Sequence, residues 1–295
     1  MAEDPHFERP LAELRVAIVG LGLMGGSLAM ALRGRCAALL GVDRNPAVVE
    51  LAAAMGAADA LSTSPADLLP QADLIILATP LSAILQLLEE LPALHPGAAV
   101  VLDLGSAKGA VVRKMESLPP RFDPLGGHPM CGKERTSLAE AEAGLYRGAP
   151  FALTPLPRTG VAARRLAEEL VRAVGARPVW MEANKHDAMV ASTSHLPYLT
   201  AAALAGITPP ESAPLIGPGF RSTTRVAETP LSIMLDILRF NRASILPALQ
   251  RLHRQIESLA QLLEAENYPA LAAELERAAR RRRELTQPRE EKNAA

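Results

Sequence analysis

The sequence predicts an α/β protein of two domains, a doubly wound sheet over its first two-thirds and an all-helical domain after it. Three observations carry this. Short, continuously apolar runs alternate with helix-like stretches from Arg15 to Met181, a glycine-rich turn joins the first run to the first helix, and strand signals stop after Glu182. The runs are 16–19, 38–42, 74–78, 100–103, 151–153 and 178–181. Strands this apolar are expected where both sheet faces are covered, as in parallel α/β folds.

A chain of 295 residues exceeds the usual size of one domain, about 100–200 residues. The expected boundaries are 14–181 for the sheet domain, 182–285 for the helical domain and 286–295 for a charged tail. Long helix-period segments at 187–204, 231–246 and 247–263 define the second domain. The stretch Arg221–Arg225, after Gly217-Pro-Gly219, reads as a break between helices.

With 49% hydrophobic and 21% charged residues and a formal net charge of −1, the protein has no global attraction to nucleic acid or anionic membrane. The Arg280–Arg283 run lacks interleaved aromatics and reads as a solvated helix end. Cys36 and Cys131 are the only cysteines and form no C-x-x-C pair, so neither a disulfide framework nor a metal site is expected. Cys131 reads as a pocket wall. The first ten residues have no apolar core of a signal peptide, and no run approaches the roughly 20 residues that span a bilayer. A cytoplasmic location is the expectation.

Gly20-Leu-Gly22-Leu23-Met24-Gly25 lies directly between the first apolar run and the helix-like segment from Ser27. In that context a G-x-G-x-x-G turn binds the pyrophosphate of a dinucleotide, so the first domain is expected to be of Rossmann type. Gly20 serves the tight turn, Gly22 the approach of the pyrophosphate, and Gly25 close packing of helix on strand. Asp43 follows Gly25 by 18 residues, close to the spacing of the acid that binds the adenosine ribose. Its carboxylate favours NAD over NADP, while the adjacent Arg44 keeps NADP open. Thr79 and Ser106 end later runs and should lie near the cofactor; Lys108 reads either as a phosphate or substrate contact or as a surface residue at a helix start. His128, bracketed in Gly126-Gly-His-Pro-Met-Cys-Gly132, is expected on a fixed loop as a general base. His195, in Ser194-His-Leu-Pro197, is a second candidate.

Together these segments resemble the prephenate/arogenate dehydrogenase family of tyrosine biosynthesis. The matching pieces are 19–28, 103–108, Gly126-Gly-His-Pro-Met130, Ala152-Leu-Thr-Pro155, His186-Asp187, Ser194-His-Leu-Pro197 and 219–226, in family order. The resemblance implies a second domain like that of 6-phosphogluconate dehydrogenase, serving substrate binding and homodimerisation. It implies NAD-dependent oxidative decarboxylation of prephenate, with arogenate as the alternative substrate. His128 would take the substrate hydroxyl proton, Ser106 would bond the same oxygen or orient the ring, Arg225 would anchor the ring carboxylate, and His195 would line the side-chain end. Lys133, where many members carry a small neutral residue, would pair with the pyruvyl carboxylate, with Glu134 beside it. Two other readings remain at this point: a 3-hydroxy-acid dehydrogenase using Lys185, and a sensor that binds a dinucleotide without turnover.

Overall fold

The computed structural model describes residues 9–133 and 135–287. The chain forms two compact units, one ending at Ile245 and the other starting at Leu246. The first contains an eight-stranded sheet made of β1 (Arg15–Val19), β2 (Ala38–Val42), β3 (Ala60–Ser62), β4 (Leu74–Leu77), β5 (Ala99–Asp103), β6 (Phe122–Pro129), β7 (Pro150–Pro155) and β8 (Arg177–Trp180). Its order is β3-β2-β1-β4-β5-β6-β7-β8. The first six strands are parallel in the doubly wound 3-2-1-4-5-6 order, β7 is antiparallel to β6, and β8 runs parallel to β7.

Alternate residues of the central strands feed two separate cores, which explains why the runs are apolar throughout. Val16, Ile18, Leu74, Ile76, Val100 and Leu102 face one core, with α1 (Leu23–Leu32) and α6 (Val161–Ala173) packed over it. Ala17, Val19, Ile75, Leu77, Ala99 and Val101 face the other, under α4 (Leu81–Leu94) and α5 (Gly109–Glu116). Each fully buried Leu, Ile or Val contributes about 1.5–3 kcal/mol relative to exposure. The shorter α2 (Pro46–Ala54) and α3 (Pro65–Leu68) flank β3.

Register fixes where ligands can meet this sheet. Val42, Val19, Leu77 and Asp103 stand level across four strands, so Asp43, Gly20, Ala78 and Leu104 all leave the same carboxyl edge. β6 overshoots that edge. Leu102 pairs with Leu125, which leaves His128 beyond the parallel sheet and held instead opposite Ala152 of β7.

Two strands were not expected, β3 and β6, and the second changes the reading of His128. It sits on a strand, not on a loop. The glycines that suggest a turn are needed for close packing: a Cβ at Gly126 would lie 2.2 Å from Thr154 Oγ1, and one at Gly127 would lie 2.6 Å from the Asp103 carbonyl oxygen.

The helices after β8 also depart from the expected spans. The segment 187–204 is divided into α7 (Ala183–Val190), a π-helical turn Ala191–His195 and α8 (Leu196–Ile207). Pro197 cannot donate to Thr193, and its ring crowds that carbonyl, so the helix widens just before it. Residues 221–225 are no break, since α9 (Pro218–Thr224) runs into a 3-10 turn from Arg225 to Glu228. Pro218 starts α9, and Ser222 and Thr224 hydroxyls bond back to the Gly219 and Phe220 carbonyls. The break expected at Pro247 falls instead at Asn241, between α10 (Leu231–Phe240) and α11 (Arg242–Glu264). Met234 and Ile237 bury α10 in the second core.

In the second unit, α12 (Tyr268–Thr286) is capped by the Asn267 side chain, which accepts from Ala270 N–H. Arg280–Arg283 lie in the last two turns of α12 and are exposed, a solvated helix end. Of the expected tail, residues 288–295 lie outside the described residues. No helix among the described residues is long and apolar enough to cross a membrane.

The tightest fit in the fold is the first glycine turn. Gly20 has φ +97°, and a Cβ at Gly25 would lie 1.8 Å from the Gly20 carbonyl oxygen. Gly25→Ala is therefore expected to cost at least about 2 kcal/mol and lower Tm by several degrees. Gly144→Ala, where nothing lies within 4 Å of the added atom, should melt within about 2 °C of the parent. Thermal melts of the two variants side by side check the contrast.

Candidate active site

The carboxyl edge of the sheet opens into a cavity of about 780 Å³. Gly20, Gly22, Leu23, Met24, Asp43, Arg44 and Thr79 all line it, and Gly25 lies behind the turn against Gly20. The Asp43 carboxylate is fixed by two backbone donors, Leu21 N–H at 2.8 Å and Asn45 N–H at 2.9 Å. Thr79 Oγ1 is buried without a hydrogen-bond partner among the described residues. A polar atom in that condition is costly unless a ligand satisfies it. With a glycine turn at a helix start and an aspartate at the next strand end, the cavity fits a dinucleotide. The segment after β6 packs over this turn: Leu23 N–H donates to the Thr136 carbonyl at 2.8 Å, and Tyr146 O–H donates to the Met24 carbonyl at 2.7 Å.

Ser106 and Lys133 line the same cavity. Lys133 donates to the Glu140 carbonyl at 2.9 Å and pairs with Glu142 at 3.2 Å, so its charge is already compensated. Glu134 lies outside the described residues. Cys131 is part of the cavity wall, and burial pushes its thiol up to about 11, which leaves it protonated and a poor nucleophile.

Lys108 is not a surface residue. Its side chain is fully buried and pairs with the equally buried Asp103, and its ammonium also donates to the Gly127 carbonyl at 2.6 Å. Asp103 in turn accepts from Gly105 N–H at 2.8 Å and Gly127 N–H at 3.2 Å. Burial pushes the Asp103 carboxyl up and the Lys108 ammonium down, and their mutual attraction opposes both shifts. The pair thus grips both backbone groups of the residue preceding His128.

His128, part-buried, places Nδ1 2.8 Å from Nε2 of the buried His186. His186 Nδ1 lies 2.9 Å from Asp187 Oδ1. The Asp187 carboxylate also accepts the Lys108 and Gly109 amides, at 2.7 and 2.8 Å, and so closes the start of α5. Asn241 Nδ2 reaches the Asp187 carbonyl at 2.9 Å and His195 Nδ1 at 3.2 Å. His128 and His195 therefore belong to one network. Arg225 is exposed on the 3-10 turn that packs against α8, and it does not line the cavity. Lys185, on which the 3-hydroxy-acid reading relies, is exposed on α7.

Burial, reinforced by His186, Lys108 and His195, holds the His128 pKa well below 6.5. Burial likewise brings His195 from 6.5 down to about 4. Burial alone would raise Asp187, but hydrogen bonds from His186 and from the Lys108 and Gly109 amides outweigh it and the carboxyl is lowered. Both histidines are neutral at physiological pH.

His186, Asp187, Asn241 and Asp103 were given no chemical role from sequence. The signal for the first two was the adjacent His-Asp pair at a helix start; for Asn241 it was a lone amide between two apolar helical segments.

Comparison with known proteins agrees with this geometry. Residues 28–180 match the profile described as prephenate dehydrogenase, nucleotide-binding domain, and 182–277 match prephenate dehydrogenase, dimerization domain. The chain belongs to the prephenate dehydrogenase family. It is 31% identical to the prephenate dehydrogenase of Bacillus subtilis over 85% of this chain and 71% of that one. The solved structure of A. aeolicus prephenate dehydrogenase, in complex with hydroxyphenyl propionate and NAD+, superposes with a TM-score of 0.86 at 29% identity, covering 94% of this chain and all of that one. Synechocystis arogenate dehydrogenase gives 0.81 at 30% identity, covering 92% and 100%. Family membership makes the protein an oxidoreductase.

The depressed histidines predict how stability responds to acid. Below pH 6.5 the unfolded chain binds protons that folded His128 and His195 refuse, so stability is lost as pH falls from 6.5, for His195 down to about 4. Tm should fall across that window, and it should fall less steeply in His128→Asn. Identical slopes for the two proteins would contradict the assigned shift.

Proposed function

We propose that the protein catalyses the oxidative decarboxylation of prephenate to 4-hydroxyphenylpyruvate with NAD+ as the hydride acceptor. The observation that carries this reading is a neutral imidazole, His128, held at the carboxyl edge of a sheet whose neighbouring strand ends form a dinucleotide cavity. Gly20, Gly22, Leu23, Met24 and Gly25 would hold the pyrophosphate, Asp43 and Arg44 the adenosine ribose, and Thr79 the nicotinamide end. The bound cofactor supplies the acceptor for hydride from C4 of the substrate.

The chain's own residues do the rest. His128 accepts the 4-hydroxyl proton, and Ser106 hydrogen-bonds the same oxygen. Arg225, which lies outside the cavity in this structure, would anchor the ring carboxylate from the 3-10 turn through its guanidinium fork. His195, neutral and buried, bounds the side-chain end with Lys133. Decarboxylation then restores aromaticity, so the enzyme need only position the ring and remove one proton.

Arogenate is the second reading, favoured by the Glu142 carboxylate that offsets Lys133 and so removes electrostatic exclusion of an ammonium group. The helical segment would make the homodimer contact, in keeping with the dimerization-domain match. A cytoplasmic enzyme acting on a small soluble acid is the setting this supports.

Steady-state kinetics with both substrates tests the assignment. His128→Asn is expected to lower kcat by about 10²–10⁴-fold with little change in KM. Arg225→Gln should instead raise KM roughly tenfold or more, the effect of losing a hydrogen bond to a charged group. Turnover of His128→Asn within about threefold of the parent would remove His128 as the base.

A further inference from the structure

We propose that His186 and Asp187 are positioning residues that decide which nitrogen of His128 carries the proton, leaving Nε2 of His128 bare as the proton acceptor. The inference rests on the reading of His128 as the base and adds how that base is prepared.

The direction of the chain follows from what each atom can do. Asp187 is an acceptor at both oxygens, because they receive the amides of Lys108 and Gly109 and cannot turn to offer a proton. His186 Nδ1, at 2.9 Å from Oδ1, must therefore be the donor. With one proton on each ring, an imidazole protonated at Nδ1 has a lone pair at Nε2. That lone pair faces His128 Nδ1 at 2.8 Å, so the hydrogen between the two rings belongs to His128. His128 then has its proton on Nδ1 and none on Nε2. A solvated imidazole prefers the reverse arrangement.

Both positioning side chains are buried, with His186 2% and Asp187 6% exposed, so water does not compete for these bonds. Asn241 holds the Asp187 backbone from the other side, and its amide also donates to His195 Nδ1. His195 is thereby the opposite tautomer, with its proton on Nε2. When His128 takes the substrate proton, its Nδ1–H stays on His186 and the new positive charge faces Asp187 through the intervening ring. No proton has to leave His186.

The test uses full-length protein labelled with ¹⁵N-histidine, whose six histidines give a readable spectrum. His128 is assigned by its loss in His128→Asn. At neutral pH, ¹H–¹⁵N correlations should show His128 protonated at Nδ1 and bare at Nε2. In His186→Leu, the His128 proton should redistribute towards Nε2, and kcat should fall at least about tenfold with KM within about twofold. His186→Gln, whose Oε1 can accept where Nε2 stood, should restore both the tautomer and most of the turnover. A wild-type His128 protonated at Nε2 overturns the proposal, as does an unchanged tautomer in folded His186→Leu. If His186→Leu does not fold, the wild-type spectrum alone decides. The expected tautomers in a protein that turns over neither substrate would overturn the functional reading while leaving this one standing.

Discussion

A lysine and an aspartate with no solvent exposure, buried against each other at the end of β5, are the constraint on which the site depends. Two charges at zero exposure persist only when paired and hydrogen-bonded, and such pairs are seldom retained for stability alone. Here Lys108 donates to the Gly127 carbonyl, and Asp103 accepts the Gly127 amide along with that of Gly105. The strand bearing His128 is thus tied to the strand beside it just past the point where the parallel ladder ends. With no side chain at Gly127, that strand also lies close to the Asp103 carbonyl.

From this anchor the buried polar groups continue without interruption. Asp187 closes the start of α5, the helix that follows Lys108, and orients His186 on the way to His128. Asn241, at the break between α10 and α11, ties the same aspartate to His195. A partly satisfied network of this kind would cost more than an apolar core. Each of these members has a partner, which is what permits two neutral histidines to sit beside a buried cation. The same burial that depresses both imidazoles keeps them in the basic, uncharged form.

Much of this was legible in the sequence, for reasons that are local. The glycine turn, Asp43 and Thr79 follow from strand ends that alternate apolar residues into two cores, and their relation is carried by short-range spacing. His128 was recognisable as a base candidate from its glycine and proline context, but that context suggested a loop. The strand exists because β7, arriving from 22 or more residues later, pairs with it, and the glycines serve contacts with Thr154 and Asp103 that no local pattern reveals. The roles of His186 and Asp187 depend on amides 78 and 79 residues away, and Asn241 reaches Asp187 across 54. The π turn before Pro197 was foreshadowed by the proline, although its consequence for His195 required the packing around it.

The central claim is that this buried frame presents His128 as a neutral base. The most direct measurement is the pH dependence of kcat/KM for the substrate at saturating NAD+, which reports the ionisation of the base in the enzyme–NAD+ complex before substrate binds. The account predicts activity that holds as pH drops through 6.5 and declines only well below it. An acid limb with its midpoint at or above 6.5 would contradict it.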